Sequence, residues 1–248
     1  MFDINKHRYN YFYNYLTVIE DLIPVHICDK LIARVNTKIE EGSIPLVNHN
    51  GLGNSAVSDL GGKYLHHIFK GDDVREYLPE LEAIYHSILP IVSMITCTDT
   101  VVSPYKLSDM NIKAYPAGGG TLGLHYDTNG ITVLLFLTEN KEAPLRVQIP
   151  RSHPSQDKDW IEHKKVYAKK GALLIMQGRK VLHDCEPTIT EQKLSVILNY
   201  YERHDTYRHE DFDNFVYFGK KPKELTETAK DSDISLVSDE ELEDLVVL

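Results

Sequence analysis

The apolar positions of this chain follow one rule up to about residue 100 and another after it. Ile27, Leu31, Ile32 and Val35 recur at helical spacing and predict a helix from about Cys28 to Glu41, which Gly42 stops. Val74, Tyr77, Leu81, Ile84, Tyr85 and Ile88 predict a second over about 72–91, with Pro79 suited to a first turn and Pro90 near the end. Ahead of them Tyr13 to Ile19 reads as a strand, packed by the aromatic cluster Tyr9, Tyr11, Phe12, Tyr13 and Tyr15. Beyond residue 100 come short β-rich runs: 110–115, 121–126, 132–137, 144–149, 166–168, 172–176, 181–183 and 194–201. Gly118-Gly-Gly120, Asn129-Gly130, Asn140, Lys170-Gly171 and Gly178 punctuate them. Closely spaced strands after a helical N-terminal third predict an α+β, mainly β fold, a double-sheet jelly roll buttressed by N-terminal helices.

Composition narrows the function classes. The 248 residues carry a formal charge of −10, which with no clustered Lys and Arg argues against nucleic acid as a partner. Seven acids and no base fall between Asp231 and Leu248, so the body before that tail carries only −3 of the total. Residues 1–230 read as one domain, and 231–248 as an acidic tail. Ser238-Asp-Glu-Glu241 ahead of Leu242, Leu245 and Val246 fits a capping box, which leaves a short docked helix and a solvated terminus both open. No apolar run is long enough for a bilayer, and the start lacks a basic-then-apolar signal pattern, so a cytoplasmic protein without membrane contact is expected. Cys28, Cys97 and Cys185 are scattered and odd in number, which fits reduced thiols rather than a disulfide framework.

The chemistry concentrates in Leu122-Gly-Leu-His125-Tyr-Asp127. On an extended strand residues i and i+2 share a face, so His125 and Asp127 can reach one metal ion. A histidine from another strand would complete a two-histidine, one-carboxylate cap that leaves three positions of an octahedral ion open. His183, in Val181-Leu-His183-Asp, is placed for it; His153, between Arg151-Ser and Pro154, is the rival. Ten residues after His183, Lys193 opens the apolar strand Lys193-Leu-Ser195-Val-Ile-Leu-Asn-Tyr-Tyr201. A lysine there needs an anion to meet it, and Ser195 on the same face offers a hydroxyl to that anion. The pair suits the far carboxylate of a dicarboxylic co-substrate.

In these features the chain resembles the Fe(II)/2-oxoglutarate-dependent oxygenases. They are the N-terminal segment YLTVIEDLIPVHICDKLIARV, the His125-x-Asp127 pair, and His183 at 58 residues beyond His125. The Lys193-x-Ser195 pair, and Tyr115 and Gly118 shortly before the first histidine, complete the pattern, which covers roughly residues 13–202. The resemblance implies a double-stranded β-helix core, iron held by His125, Asp127 and His183, and 2-oxoglutarate held by Lys193, Ser195 and Tyr115. Many members carry arginine where this chain has Lys193, which exchanges a bidentate fork for a point charge. It further implies use of O2, release of succinate and CO2, and most often hydroxylation. Asp127 argues against halogenation, since halogenating members replace the carboxylate by a small residue. A small-molecule substrate, such as a free amino acid or a metabolite derived from one, is the leading expectation. A prolyl-type protein hydroxylase, a cupin-type dioxygenase needing no keto acid, and a non-catalytic jelly-roll binding module are the alternatives.

Arg146 and Gln148 share one face of a strand and are candidates for substrate contact if that face is the inner one, as is Asn199, which shares the face of Lys193 and Ser195. Arg151 and Arg179 are lesser candidates. His66-His67 and His209-Glu210-Asp211 read as surface features or lid contacts, Cys185 as a small core residue, and the Gly-, Asn- and Ser-rich stretch 48–62 as a lid.

Overall fold

The computed structural model describes residues 2–48, 65–119, 123–153, 158–205, 207 and 213. The expected lid beyond Asn48, the His209-Glu210-Asp211 group, the His153 side chain and the acidic tail lie outside them.

The N-terminus departs from expectation. Asp3 caps helix α1 (Ile4–Asn14) by accepting from the Asn5 and Lys6 amides, both at 3.1 Å. The aromatic cluster therefore lies on a helix, with Tyr11 inside and Tyr9, Phe12 and Tyr13 exposed. Tyr15, at φ 60°, turns the chain into the shorter strand β1 (Leu16–Ile19). Alternating aromatics mimic a strand period, and the cap at Asp3 decides against it.

Helix α2 (Val25–Glu40) buries Cys28, Leu31 and Val35, as its spacing predicts. Strands β2 (Leu46–Asn48) and β3 (Leu65–Phe69) follow, then helices α3 (Gly71–Tyr77) and α4 (Glu80–Thr96). The single helix expected over 72–91 is thus broken at Leu78-Pro79, and α4 runs past Pro90 to Thr96. The remaining strands are β4 (Thr100–Val102), β5 (Met110–Tyr115), β6 (Ile131–Phe136), β7 (Leu145–His153), β8 (Lys158–Val166), β9 (Leu173–Gln177), β10 (Leu182–Cys185) and β11 (Lys193–Glu202). β8 begins eight residues before the expected run at Val166, because a polar strand at a sheet edge carries no alternation to read. The run expected from Thr121 is, among the described residues, a single bridge at His125. No helix among the described residues is long and apolar enough to cross a membrane.

The strands form two antiparallel sheets. The larger has the order β1-β9-β6-β11-β5-β3-β2, with β4 also on β11; the smaller is β10-β7-β8. Alternation divides the larger sheet into two faces. Ile112, Ala114, Val133, Leu135, Leu194, Val196, Leu198 and Tyr200 pack with Leu31, Val35, Leu81, Tyr85 and Val92 of the helices. The other face, with Leu16, Leu134, Phe136, Leu174 and Met176, meets Leu145, Val147 and Ile149 of the smaller sheet. This double-sheet core buttressed by helices is the expected α+β jelly roll.

Candidate metal centre

His125 and His183 are brought face to face by the backbone. Each donates its N–H to the other's carbonyl, at 3.0 and 2.9 Å, so the short bridge adds a fourth element to the smaller sheet beside β10. Their ring centroids stand 4.4 Å apart. Asp127 follows two residues on, its amide tied to the Gly178 carbonyl at 3.1 Å. Its Oδ1 lies 3.5 Å from Nε2 of His125 and 3.7 Å from Nε2 of His183, and the three ligand atoms all fall within 4.8 Å of one another. The structure therefore assembles the triad that the spacing anticipates.

Hydrogen bonds behind the triad orient it for a cation. Nδ1 of His125 lies 2.7 Å from the Gly123 carbonyl, and Nδ1 of His183 lies 2.9 Å from the Val181 carbonyl. A carbonyl only accepts, so each Nδ1 carries the proton and each Nε2 presents a lone pair to the shared space. The Thr132 hydroxyl donates to Oδ2 of Asp127, leaving Oδ1 for the cation. That hydroxyl in turn accepts from the Asn129 amide at 2.9 Å. Burial alone would raise the Asp127 carboxyl, but His183, His125 and Thr132 outweigh it and hold it below the usual range. Burial pulls the His183 imidazole down to about 4 against the attraction of Asp127, which keeps the ring in its neutral, metal-binding form.

Thr132, Asn129 and Gly178 escape the sequence reading. A side chain at Gly178 would place Cβ 2.6 Å from Thr132 Oγ1, 2.8 Å from the Asn129 carbonyl oxygen and 2.8 Å from Cβ of Asp127. The glycine is there because the metal loop lies against it. Asn129 and Gly178 read in the sequence only as turn residues and Thr132 as part of a strand; the approach of Gly178 to the loop, from about fifty residues away, is what the local sequence does not contain.

Lys193, Ser195, Tyr115 and Asn199 share the inner face of the larger sheet. Lys193 pairs with Tyr115 in the β5–β11 ladder, and its ammonium donates to the Ala143 carbonyl at 3.1 Å, 6.0 Å from the Tyr115 ring centre. The lysine is 4% exposed. Asn199 instead spends its amide on the Ser108 carbonyl at 2.6 Å, fastening the start of β5. Lys113, another residue the sequence reading passed over, pairs with Ser195 and shares its face; the period-two rule applied back from Tyr115 finds it.

Arg146 and Gln148 correct an expectation. Leu145, Val147 and Ile149 fill the inter-sheet core, so the residues between them point outward. Arg146 forms a bidentate ion pair with Asp184 on that outer face, and Gln148 lies across from Leu182. Neither meets the metal centre. Arg151 binds Glu162 and the end of α1, and Arg179 binds Asp205 and the Thr128 carbonyl. His66 is wholly buried, its ring 5.4 Å from that of Tyr115, rather than a surface feature.

No protein-family profile and no curated protein matches the chain. Solved structures do. The non-haem α-ketoglutarate-dependent carbocyclase SnoK from nogalamycin biosynthesis is 14% identical, with a TM-score of 0.63 over 86% of this chain and 89% of its own. A prolyl hydroxylase from Trichoplax adhaerens, in complex with a hypoxia-inducible-factor peptide fragment, is 16% identical at 0.57 over 80% and 89%. HygX from Streptomyces hygroscopicus, with nickel, 2-oxoglutarate and hygromycin B bound, is 9% identical at 0.57 over 83% and 90%. At these identities the likeness is one of fold: the chain has the double-stranded β-helix architecture of the 2-oxoglutarate-dependent oxygenases.

Proposed function

We propose that this protein is an iron(II)- and 2-oxoglutarate-dependent oxygenase that oxidises a small molecule, most simply by hydroxylation. The convergence of His125, Asp127 and His183 carries the reading. Two neutral imidazoles and one carboxylate, with both Nδ1 atoms and Oδ2 turned away, are a donor set for a divalent ion with three adjacent positions left open. Such an ion, with 2-oxoglutarate and O2, supplies oxidation of a C–H bond coupled to release of succinate and CO2. The protein's share is to hold the metal through those three side chains and to fix the co-substrate's far carboxylate with the Lys193 ammonium and the Ser195 hydroxyl, beside Tyr115. Leu134, Phe136 and Ile197, on the same inner face, pack into the apolar cluster between the sheets and limit water there. Asp127 occupies the position a halide would need, so oxygen insertion is favoured over halogen transfer.

Anaerobic addition of Fe(II) and 2-oxoglutarate should produce the visible charge-transfer band of the chelated keto acid. Its absence in well-folded protein would sink the reading. Substrate discovery then follows from succinate release across a panel of amino acids and related carboxylic acids. Peptides belong in the same panel, because the likeness to a prolyl hydroxylase crystallised with a peptide supports a protein hydroxylase as the second reading. A band that forms without any turnover across both sets would favour a binding module instead.

A further inference from the structure

Strands β5 and β11 are sealed almost throughout, and each leaves one interior side chain partly open, Lys113 in the first and Ile197 in the second. Both project between the sheets: Lys113 pairs with Ser195 and Ile197 with Asn111, while the opposite face of these strands is the helix-packed core. Ile68 of β3, also partly open, flanks Lys113 on its other side. Lys113 makes no hydrogen bond or ion pair with another described residue. In the ladder Lys113 lies opposite Ser195, two residues from Tyr115 and on the face it shares with Lys193, and the Asp127 carboxylate acts on its charge.

An ammonium in such a site is costly until an anion meets it. With the occupants proposed above, the charges of the divalent metal, Asp127, Lys193 and the dianionic keto acid cancel. Lys113 is the positive charge left over. We infer that Lys113 receives the carboxylate of the substrate to be oxidised, so that this partly open face between the sheets selects an anionic small molecule and holds it beside the metal. One step along the same face the carboxamide oxygen of Asn111 is buried without a hydrogen-bond partner among the described residues, and it can take an N–H of the same molecule. Ile68 and Ile197 offer an aliphatic body apolar contact. A carboxylate, a nearby N–H and an aliphatic chain describe an amino-acid-like substrate. This assignment rests on the oxygenase reading for its charge balance and on Lys113 itself for its geometry.

The test compares propanoate with its neutral isostere propionamide, at constant ionic strength set with chloride. They are added to anaerobic protein carrying Fe(II) and saturating 2-oxoglutarate, and read by the charge-transfer band and by the unfolding midpoint. Propanoate should perturb the band and raise the midpoint, and propionamide should do neither. Lys113→Gln should weaken propanoate binding by about tenfold or more, the worth of one charge-assisted hydrogen bond. Lys113→Arg should restore most of it, and the 2-oxoglutarate titration should be the same in all three proteins. Equal responses to propanoate and propionamide would overturn the inference, as would a Lys113→Gln protein that binds propanoate like the wild type. A variant that loses 2-oxoglutarate affinity instead would assign Lys113 to the co-substrate and overturn it too. Absence of the band in the wild type would fail the oxygenase reading alone, since the midpoint comparison of propanoate and propionamide on metal-free protein still reads Lys113.

Discussion

The two faces of the larger sheet are built from the same strands and do opposite things. On β11 the even positions Leu194, Val196, Leu198 and Tyr200 close onto the helices with no polar side-chain group except the Tyr200 hydroxyl, which donates to the Tyr85 carbonyl at 2.7 Å. The odd positions Lys193, Ser195 and Asn199 are polar, and across the ladders they meet Lys113, Tyr115 and Thr132. Burial of an apolar face is non-directional and tolerates any good filling, whereas each polar group on the other face needs a partner in a set position. Stability and chemistry are thereby separated by one residue along the chain.

Substitutions on the two faces should therefore fail in different ways. The largest effect is expected at the metal: His183→Ala or Asp127→Ala should abolish the Fe(II)–2-oxoglutarate band while unfolding stays cooperative, as denaturant titration of the metal-free proteins would show. Leu198→Ala, on the helix face, should do the reverse, costing about 2–5 kcal/mol of stability. Its band should survive wherever the protein is folded; a lost band with unchanged stability would break the separation. Thr132→Val keeps the shape but removes the donor to Asp127, and should lower metal affinity by about 10- to 100-fold in a competition titration. Lys193→Ala should weaken 2-oxoglutarate by about tenfold or more, with Fe(II) affinity nearly unchanged. If 2-oxoglutarate affinity were untouched, the co-substrate assignment would be wrong. The smallest effect on the metal centre belongs to Arg146→Ala on the outer face of the smaller sheet: the buried Asp184 carboxylate loses its bidentate partner, with about 1–3 kcal/mol of stability and no change in the band.

Much of this site is legible in the chain because its residues obey local rules. His125 and Asp127 are two apart on extended backbone, and Lys193 and Ser195 are two apart on another strand, so each pair shares a face whatever the rest of the fold does. Tyr115 and Lys113 obey the same rule. The failures come where that rule stops. Period two says that Arg146 and Gln148 lie together without saying on which side, and the burial of Leu145, Val147 and Ile149 against the larger sheet sends them outward. The alternating aromatics before Tyr15 suit a strand, yet the Asp3 cap and the burial of Tyr11 make a helix of them. Strand β8 pairs along its whole length with β7 but is polar and at an edge, so its hydrogen bonds leave no trace in its hydrophobicity.

By itself, then, the sequence determined the class of fold, the order of the candidate metal ligands and the pairs that must share a face, because strand geometry couples near neighbours through a period of two. Only the tertiary structure decided which face turns inward. It also brought His183 face to face with His125, laid the loop of His125 and Asp127 against Gly178, and set Lys113 opposite Ser195. Those are contacts between strands, made by the ladder register and by which apolar surface is buried most completely, and no window of neighbouring residues contains that information.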